Sequence, residues 1–204
     1  MQYDSQKRDR HSLRLKAWDY CRWAAYFVTL CTEDHQCLFG KVVRGRMHLN
    51  AYGRIVVEEW HRTAEVRDEV GLDAFVVMPN HVHGIILLTP PEYEEPITPH
   101  AYDISMSRGD ARVAPTPGRA KGPQSQSLGA AVGAFKSAVT RRINRNRQPS
   151  GATVWQRNYY DRILRNEDEW RNRRTYIHDN PRKWPHDPYY RNKPYYRNKR
   201  AHCP

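Results

Sequence analysis

Two apolar runs, "DAFVVM" (73–78) and "HVHGIILL" (81–88), are separated by only Pro79 and Asn80. A link that short, made of two turn-forming residues, leaves no room for a crossover, so the runs read as adjacent antiparallel strands. In a strand, residues two apart share a face. His81 and His83 therefore project together, and Val82 points the other way, into a helix-packed core. Imidazoles are poor core filling because each needs hydrogen-bond partners, but side by side they are a natural pair of metal ligands. A closed structural zinc site takes four protein ligands. The pair alone leaves an open coordination sphere, which suits a divalent ion acting as a Lewis acid on a phosphate. Spacing alone also permits two surface or hydrogen-bonded histidines.

The rest of the chain supplies partners for this hairpin. "AYFVTLCT" (25–32) is β-branched and aromatic and reads as a strand, and "CLFGKVVRGRMHL" as a small hairpin. Asn50 caps a predicted helix over 51–66, with Tyr52, Ile55, Val56 and Trp60 on one side. Leu128, Val132, Phe135, Val139 and Ile143 keep helical spacing, with Lys136, Arg141, Arg142 and Arg145 largely off that face. "TVWQRNYYDRIL" (153–164) reads as a strand. Asn166, with Glu169 three residues later, opens a final helix that Pro181 stops. The order predicts an α+β fold: a ferredoxin-like βαββαβ sandwich with an antiparallel sheet and two helices on one face. An extra C-terminal helix is left to cross the other face.

Between these elements, residues 89–126 hold 7 of the 14 prolines and read as a long flexible insertion. Residues 1–22 read as a polar arm, 23–184 as the folded domain, and 185–204 as a basic aromatic tail. The tail repeats "PYYRNK" at 188–193 and 194–199. Two tyrosines beside Arg191 and Lys193, and again beside Arg197 and Lys199, combine stacking planes with phosphate-seeking cations. An inert duplicated tail fits the same residues.

The chain carries a formal charge of +12, and all of the excess lies from Lys136 onward, where 18 Lys and Arg face 6 Asp and Glu. An excess confined to one segment points to a polyanion, most simply nucleic acid. Lys136, Arg141, Arg142, Arg145, Arg157, Arg191, Lys193, Arg197 and Lys199 are the expected DNA contacts. No apolar run reaches the length of a membrane span, and no signal peptide is evident. Cys21, Cys31, Cys37 and Cys203 form no CxxC pair, so reduced thiols in a cytoplasmic protein are expected.

The last helix offers what the histidines lack. "TYIHDNP" places Tyr176 and Asn180 one turn apart on one face. Asn180 can add an amide oxygen to the imidazoles, and Tyr176 can serve as a covalent nucleophile. Tyr176 also fits as a packing aromatic. His178 is a weaker candidate for a local base, and Tyr159 and Tyr160 are rival nucleophiles on a predicted strand. Trp155 and Gln156 are read as packing and local DNA contact.

"MPNHVHGII" resembles the histidine–hydrophobe–histidine (HUH) motif of the HUH endonucleases. "VWQRNYYDRILRNEDEWRNRRTYIHDNPRKW" resembles the C-terminal signature of REP-associated tyrosine transposases, relatives of the single-tyrosine insertion-sequence transposases. "YFVTLCT" and "FKSAVTRRIN" fit as well, so the resemblance spans 20–88 and 127–184. It implies a ferredoxin-like core with Mg²⁺ or Mn²⁺ on His81 and His83, assisted by Asn180. It further implies a catalytic Tyr176 that cleaves single-stranded DNA at hairpin-forming REP repeats through a 5′-phosphotyrosine, leaving a free 3′-hydroxyl for strand transfer. Relatives occur as monomers and as homodimers with exchanged helices. The insertion and the repeated tail have no counterpart in it. The reading from a different class is a single-stranded nucleic-acid-binding module on the same fold that does not cut. A rolling-circle initiator or relaxase shares the histidine pair, but the C-terminal signature and small size argue against it.

Overall fold

The computed structural model describes residues 24–89, 125–147 and 151–190. Strand β1 (Ala24–Cys31) is buried along its whole length. A short ribbon follows, β2 (Gly40–Val43) and β3 (Arg46–Leu49), joined by Arg44 and Gly45, both at positive φ (50° and 72°). That is the conformation a two-residue hairpin turn requires. Helix α1 (Ala51–Glu65) starts where Asn50 Oδ1 accepts from Gly53 N at 3.0 Å. Strands β4 (Val70–Val77) and β5 (His81–Leu88) flank the Pro79–Asn80 turn. Helix α2 (Leu128–Arg145), capped by Ser127, then leads to β6 (Tyr160–Leu164) and helix α3 (Glu167–Asp179).

The main sheet is antiparallel in the order β4–β5–β1–β6, the ferredoxin-like arrangement. β1 inserts between β5 and β6, so the Pro79–Asn80 turn joins an edge strand to a central one, not two central strands as its apolar flanks suggest. Alternation along the central strands sorts the two faces. Tyr26, Val28, Leu30, Val82, Ile86 and Leu88 pack under α1 and α2, with Val56, Trp60, Val132, Phe135 and Val139. Gly84 lies on this side, where a Cβ would come within 2.4 Å of the Trp60 ring. On the opposite face, Ala25, Phe27, Ile85, Leu87 and Leu164 pack against Trp170 and Ile177 of α3. His81 and His83 share that second face with Thr29 and Cys31.

α3 is fastened at its start and across the sheet. At its start, Asn166 Oδ1 accepts from Glu169 N at 2.9 Å. Glu169 Oε2 accepts from Arg165 N, one residue before the expected reciprocal position. Across the sheet, Trp170 Nε1 and Arg174 Nε both donate to Asp73 on β4.

Two expectations are corrected. The strand over 153–164 is broken: only Tyr160–Leu164 forms a ladder, and Trp155 makes an isolated bridge to Thr32. Lys136 Nζ binds the carbonyls of Gln156 (2.5 Å) and Arg157 (3.3 Å), holding backbone that would otherwise continue the ladder. The cysteines are not all reduced. Cys31 is a buried free thiol, whereas Cys37 is disulfide-bonded; no CxxC spacing in the sequence signals that bond. The polar arm, most of the proline-rich insertion, and Arg191, Lys193, Arg197 and Lys199 of the tail lie outside the described residues. Among the described residues no helix is long and apolar enough to cross a membrane.

Candidate metal and tyrosine centre

β5 begins at His81, so the histidines stand at the strand's N-terminal end beside the Pro79–Asn80 turn. Their rings lie 4.5 Å apart, and both residues are 1% exposed or less. Asn80 holds the first. Its Nδ2 donates to the carbonyls of Tyr189 (2.9 Å) and His35 (3.2 Å), which fixes Oδ1 toward His81 Nδ1 at 2.8 Å. Oδ1 can only accept, so His81 carries its proton on Nδ1 and its lone pair on Nε2. Among the described residues Nε2 has no hydrogen-bond partner. His83 Nδ1 meets Thr29 Oγ1 at 2.8 Å, across a register that pairs these two residues. Outer groups that hold one ring nitrogen and present the other are the usual support of metal-binding histidines.

α3 brings Tyr176 over this pair. Its Oη lies 3.4 Å from His83 Nε2, its ring centroid 5.1 Å from the His83 ring and 5.9 Å from Phe27. One turn on, Asn180 is 2% exposed and its Oδ1 is unpartnered. Its side chain reaches both His81 and Tyr176 closely enough to bias their protonation. The four residues singled out in the sequence, His81, His83, Tyr176 and Asn180, thus converge within a single chain.

The structure adds residues that the sequence did not suggest. After α3 the chain makes a 3₁₀ turn (Trp184–His186), and Asp187 at its end turns a buried carboxylate inward, with Oδ2 4.0 Å from His81 Nε2. His81, His83 and Asp187 each offer one ligand atom, all within 4.8 Å of one another. Bonds of about 2.1 Å place ligand atoms about 3 Å apart at right angles and about 4.2 Å apart when opposed, so small side-chain rotations let the group close on an ion. Two buried acceptors without donors, His81 Nε2 and Asn180 Oδ1, face the same space. This donor set could hold a metal. Tyr189 stacks beside it, its ring 4.8 Å from His81 and 6.2 Å from His83. Asp187 did carry one signal: it is the only acid after Asp179, in the most basic part of the chain.

The electrostatics suit ligation. Burial, with His83 and His35 nearby, pushes His81 well below the ordinary imidazole range. Burial and the Arg173 charge lower His83 to about 3. Both rings are therefore neutral near pH 7, as coordination requires. Burial first, and then Asp187, raises the Tyr176 phenol. Tyr189 is raised by burial and by Cys31, and burial pushes the Cys31 thiol up to about 12.

Other candidates stand elsewhere. His178 is exposed and faces Asp179 at 3.7 Å. Tyr159 packs against the α1–α2 core, and Tyr160 is an exposed edge residue beside Phe27. Trp155 packs on Phe39 and Phe135, and the Gln156 side chain meets His35. Lys136 binds backbone, and Arg142 pairs with Glu58 and Glu59. Arg141, Arg145 and Arg157 are exposed on the α2 side, away from the histidine face.

An uncharacterized protein of Haemophilus influenzae is 33% identical over 191 residues, covering 92% of this chain and 97% of that protein. The chain belongs to the same family. No family model matches it. Among solved structures, a REP-associated tyrosine transposase bound to a REP hairpin aligns over 81% of this chain and 71% of its own length. The TM-score is 0.51 at 16% sequence identity, so the likeness extends to the fold.

Proposed function

We propose that the protein is a metal-dependent single-stranded DNA endonuclease and strand transferase of the HUH tyrosine transposase kind, acting at hairpin-forming REP repeats. One observation carries the proposal: a phenol 3.4 Å from a buried imidazole, beside a His-His-Asp group and an orphaned amide oxygen, all from one chain. A packing aromatic has no need of that company. The match to a transposase solved with a REP hairpin adds support, as does the basic C-terminal third.

His81, His83 and Asp187, with Asn180, would hold Mg²⁺ or Mn²⁺, and the ion would supply positive charge at the scissile phosphate. Tyr176 then serves as the nucleophile. Burial and then Asp187 raise the Tyr176 phenol above its ordinary range, so the hydroxyl is protonated near neutral pH and its proton must leave as the bond to phosphorus forms. The product is a 5′-phosphotyrosine and a free 3′-hydroxyl. The ester preserves the bond energy, so a second strand can reverse the step. The Trp184–Tyr190 segment covers the imidazoles, and a phosphate reaching them displaces the Tyr189 ring. Tyr176 faces its own chain's histidines, so the four residues can act within one subunit. Exposed Arg141, Arg145 and Arg157 are assigned to backbone phosphates remote from the cut.

The test is incubation with end-labelled hairpin DNA and Mg²⁺ or Mn²⁺. Metal-dependent cleavage with a free 3′-hydroxyl is the expected result. Tight binding without cleavage in either metal would favour the non-cutting module instead.

A further inference from the structure

α3 carries three arginines, and two of them have carboxylates. Arg171 pairs with Asp168 at 3.0 Å and Arg174 with Asp73 at 2.7 Å. Arg173 has none among the described residues. It is half-buried, and its guanidinium carbon lies 4.8 Å above the Phe27 ring and 6.0 Å from the Tyr176 ring. Phe27 in turn stacks on His83, with centroids 5.3 Å apart and planes at 24°. Phe27 therefore contacts both the guanidinium and the imidazole, and Tyr176 stands edge-on to the same ring.

Partial burial of a cation without a counter-ion is unfavourable unless something compensates. The two aromatic faces do so in part. They leave the guanidinium's in-plane N–H groups, the edge that binds phosphate oxygens in pairs, without an anion. Arg173 precedes Tyr176 by three residues and so occupies the same face of α3.

From this placement we infer that Arg173 is a catalytic residue that holds a non-bridging oxygen of the scissile phosphate while Tyr176 attacks. The inference rests on the proposed transposase reading. In the step, Tyr176 Oη bonds to phosphorus and the P–O3′ bond breaks with its electron pair on O3′. O3′ gains a proton as the phenol loses one. Arg173 stays protonated throughout and supplies only positive charge where negative charge accumulates.

The experiment is single-turnover formation of the covalent adduct on hairpin DNA, with hairpin affinity measured alongside. Arg173→Ala is expected to slow adduct formation about 100-fold, equal to about 2.7 kcal/mol of barrier, with affinity within about twofold of wild type. Arg173→Lys, which retains charge without the planar fork, should be intermediate. Free guanidinium at millimolar, non-denaturing concentration should restore much of the rate to Arg173→Ala and leave wild type unchanged. An unchanged rate in Arg173→Ala, or a loss that guanidinium does not rescue and that parallels a loss of affinity, overturns the assignment while leaving the transposase reading intact. No adduct from wild type overturns both.

Discussion

Asn80 closes the hairpin and makes three contacts from one side chain, so its truncation to alanine tests how the site is held. Asn80→Ala leaves the carbonyls of His35 and Tyr189 without their amide donor and the His81 Nδ1–H without its acceptor. Asn80 is completely buried, so water does not simply replace it. At about 1 kcal/mol for each lost contact the cost is about 3 kcal/mol. That is a sizeable part of a domain's usual 5–15 kcal/mol or so, and at about 2–4 °C per kcal/mol it lowers the melting temperature by about 6–12 °C. A second effect is specific to the site. Without Oδ1 nothing fixes the proton on Nδ1, the lone pair is no longer held on Nε2, and metal affinity falls about 10–100-fold. Calorimetric melting and Mn²⁺ titration of the same samples separate the two effects. A variant that melts within about 2 °C of wild type and binds Mn²⁺ equally well would refute the argument that Asn80 sets the His81 tautomer.

Two further outcomes are expected. Asp187→Ala should weaken Mn²⁺ binding more than Asn180→Ala does, because it removes charge as well as an oxygen ligand; equal or reversed effects in a titration would place the ion nearer Asn180. The metal-free protein should lose stability in acid through its buried imidazoles. His83 falls from about 6.5 unfolded to about 3 folded, so between those values the unfolded chain binds the extra proton. Stability is full above about pH 6.5 and drops by up to about 1.4 kcal/mol per unit as pH falls toward 3. Urea midpoints at pH 7 and 4.5 should therefore diverge less in His83→Gln than in wild type, and an identical divergence would contradict the shift.

Much of this architecture is legible in the sequence because it rests on local rules. Alternation in "HVHGIILL" places both imidazoles on one face, and helical spacing in "TYIHDNP" places Tyr176 over Asn180. Both placements follow from backbone geometry alone. The order of elements then leaves only one uncovered sheet face on which the two motifs can meet. What escapes is set by chain closure. Asp187 and Tyr189 come to the histidines through a 3₁₀ turn with no strong periodicity, and nothing in the order of residues shows that Asn80 bonds at once to His35, His81 and Tyr189. The break at 157–159 depends on Lys136, some twenty residues upstream, which reads as a DNA contact because it carries a charge off the packed face. Arg173 is hidden for the opposite reason: in a helix crowded with arginines, only the fold reveals which one has no carboxylate among the described residues.

If Tyr176 is the nucleophile, trypsin digestion will show it directly. Cleavage after Arg174 and Arg182 releases Thr175–Arg182, which contains a single tyrosine. After reaction with hairpin DNA and Mn²⁺, followed by nuclease digestion, mass spectrometry should find a residual 5′-phosphonucleotide on that peptide at Tyr176. The modification should be absent from Tyr176→Phe and from reactions without metal. A nucleotide on the peptide bearing Tyr159 and Tyr160, or an adduct that persists in Tyr176→Phe, would contradict the account.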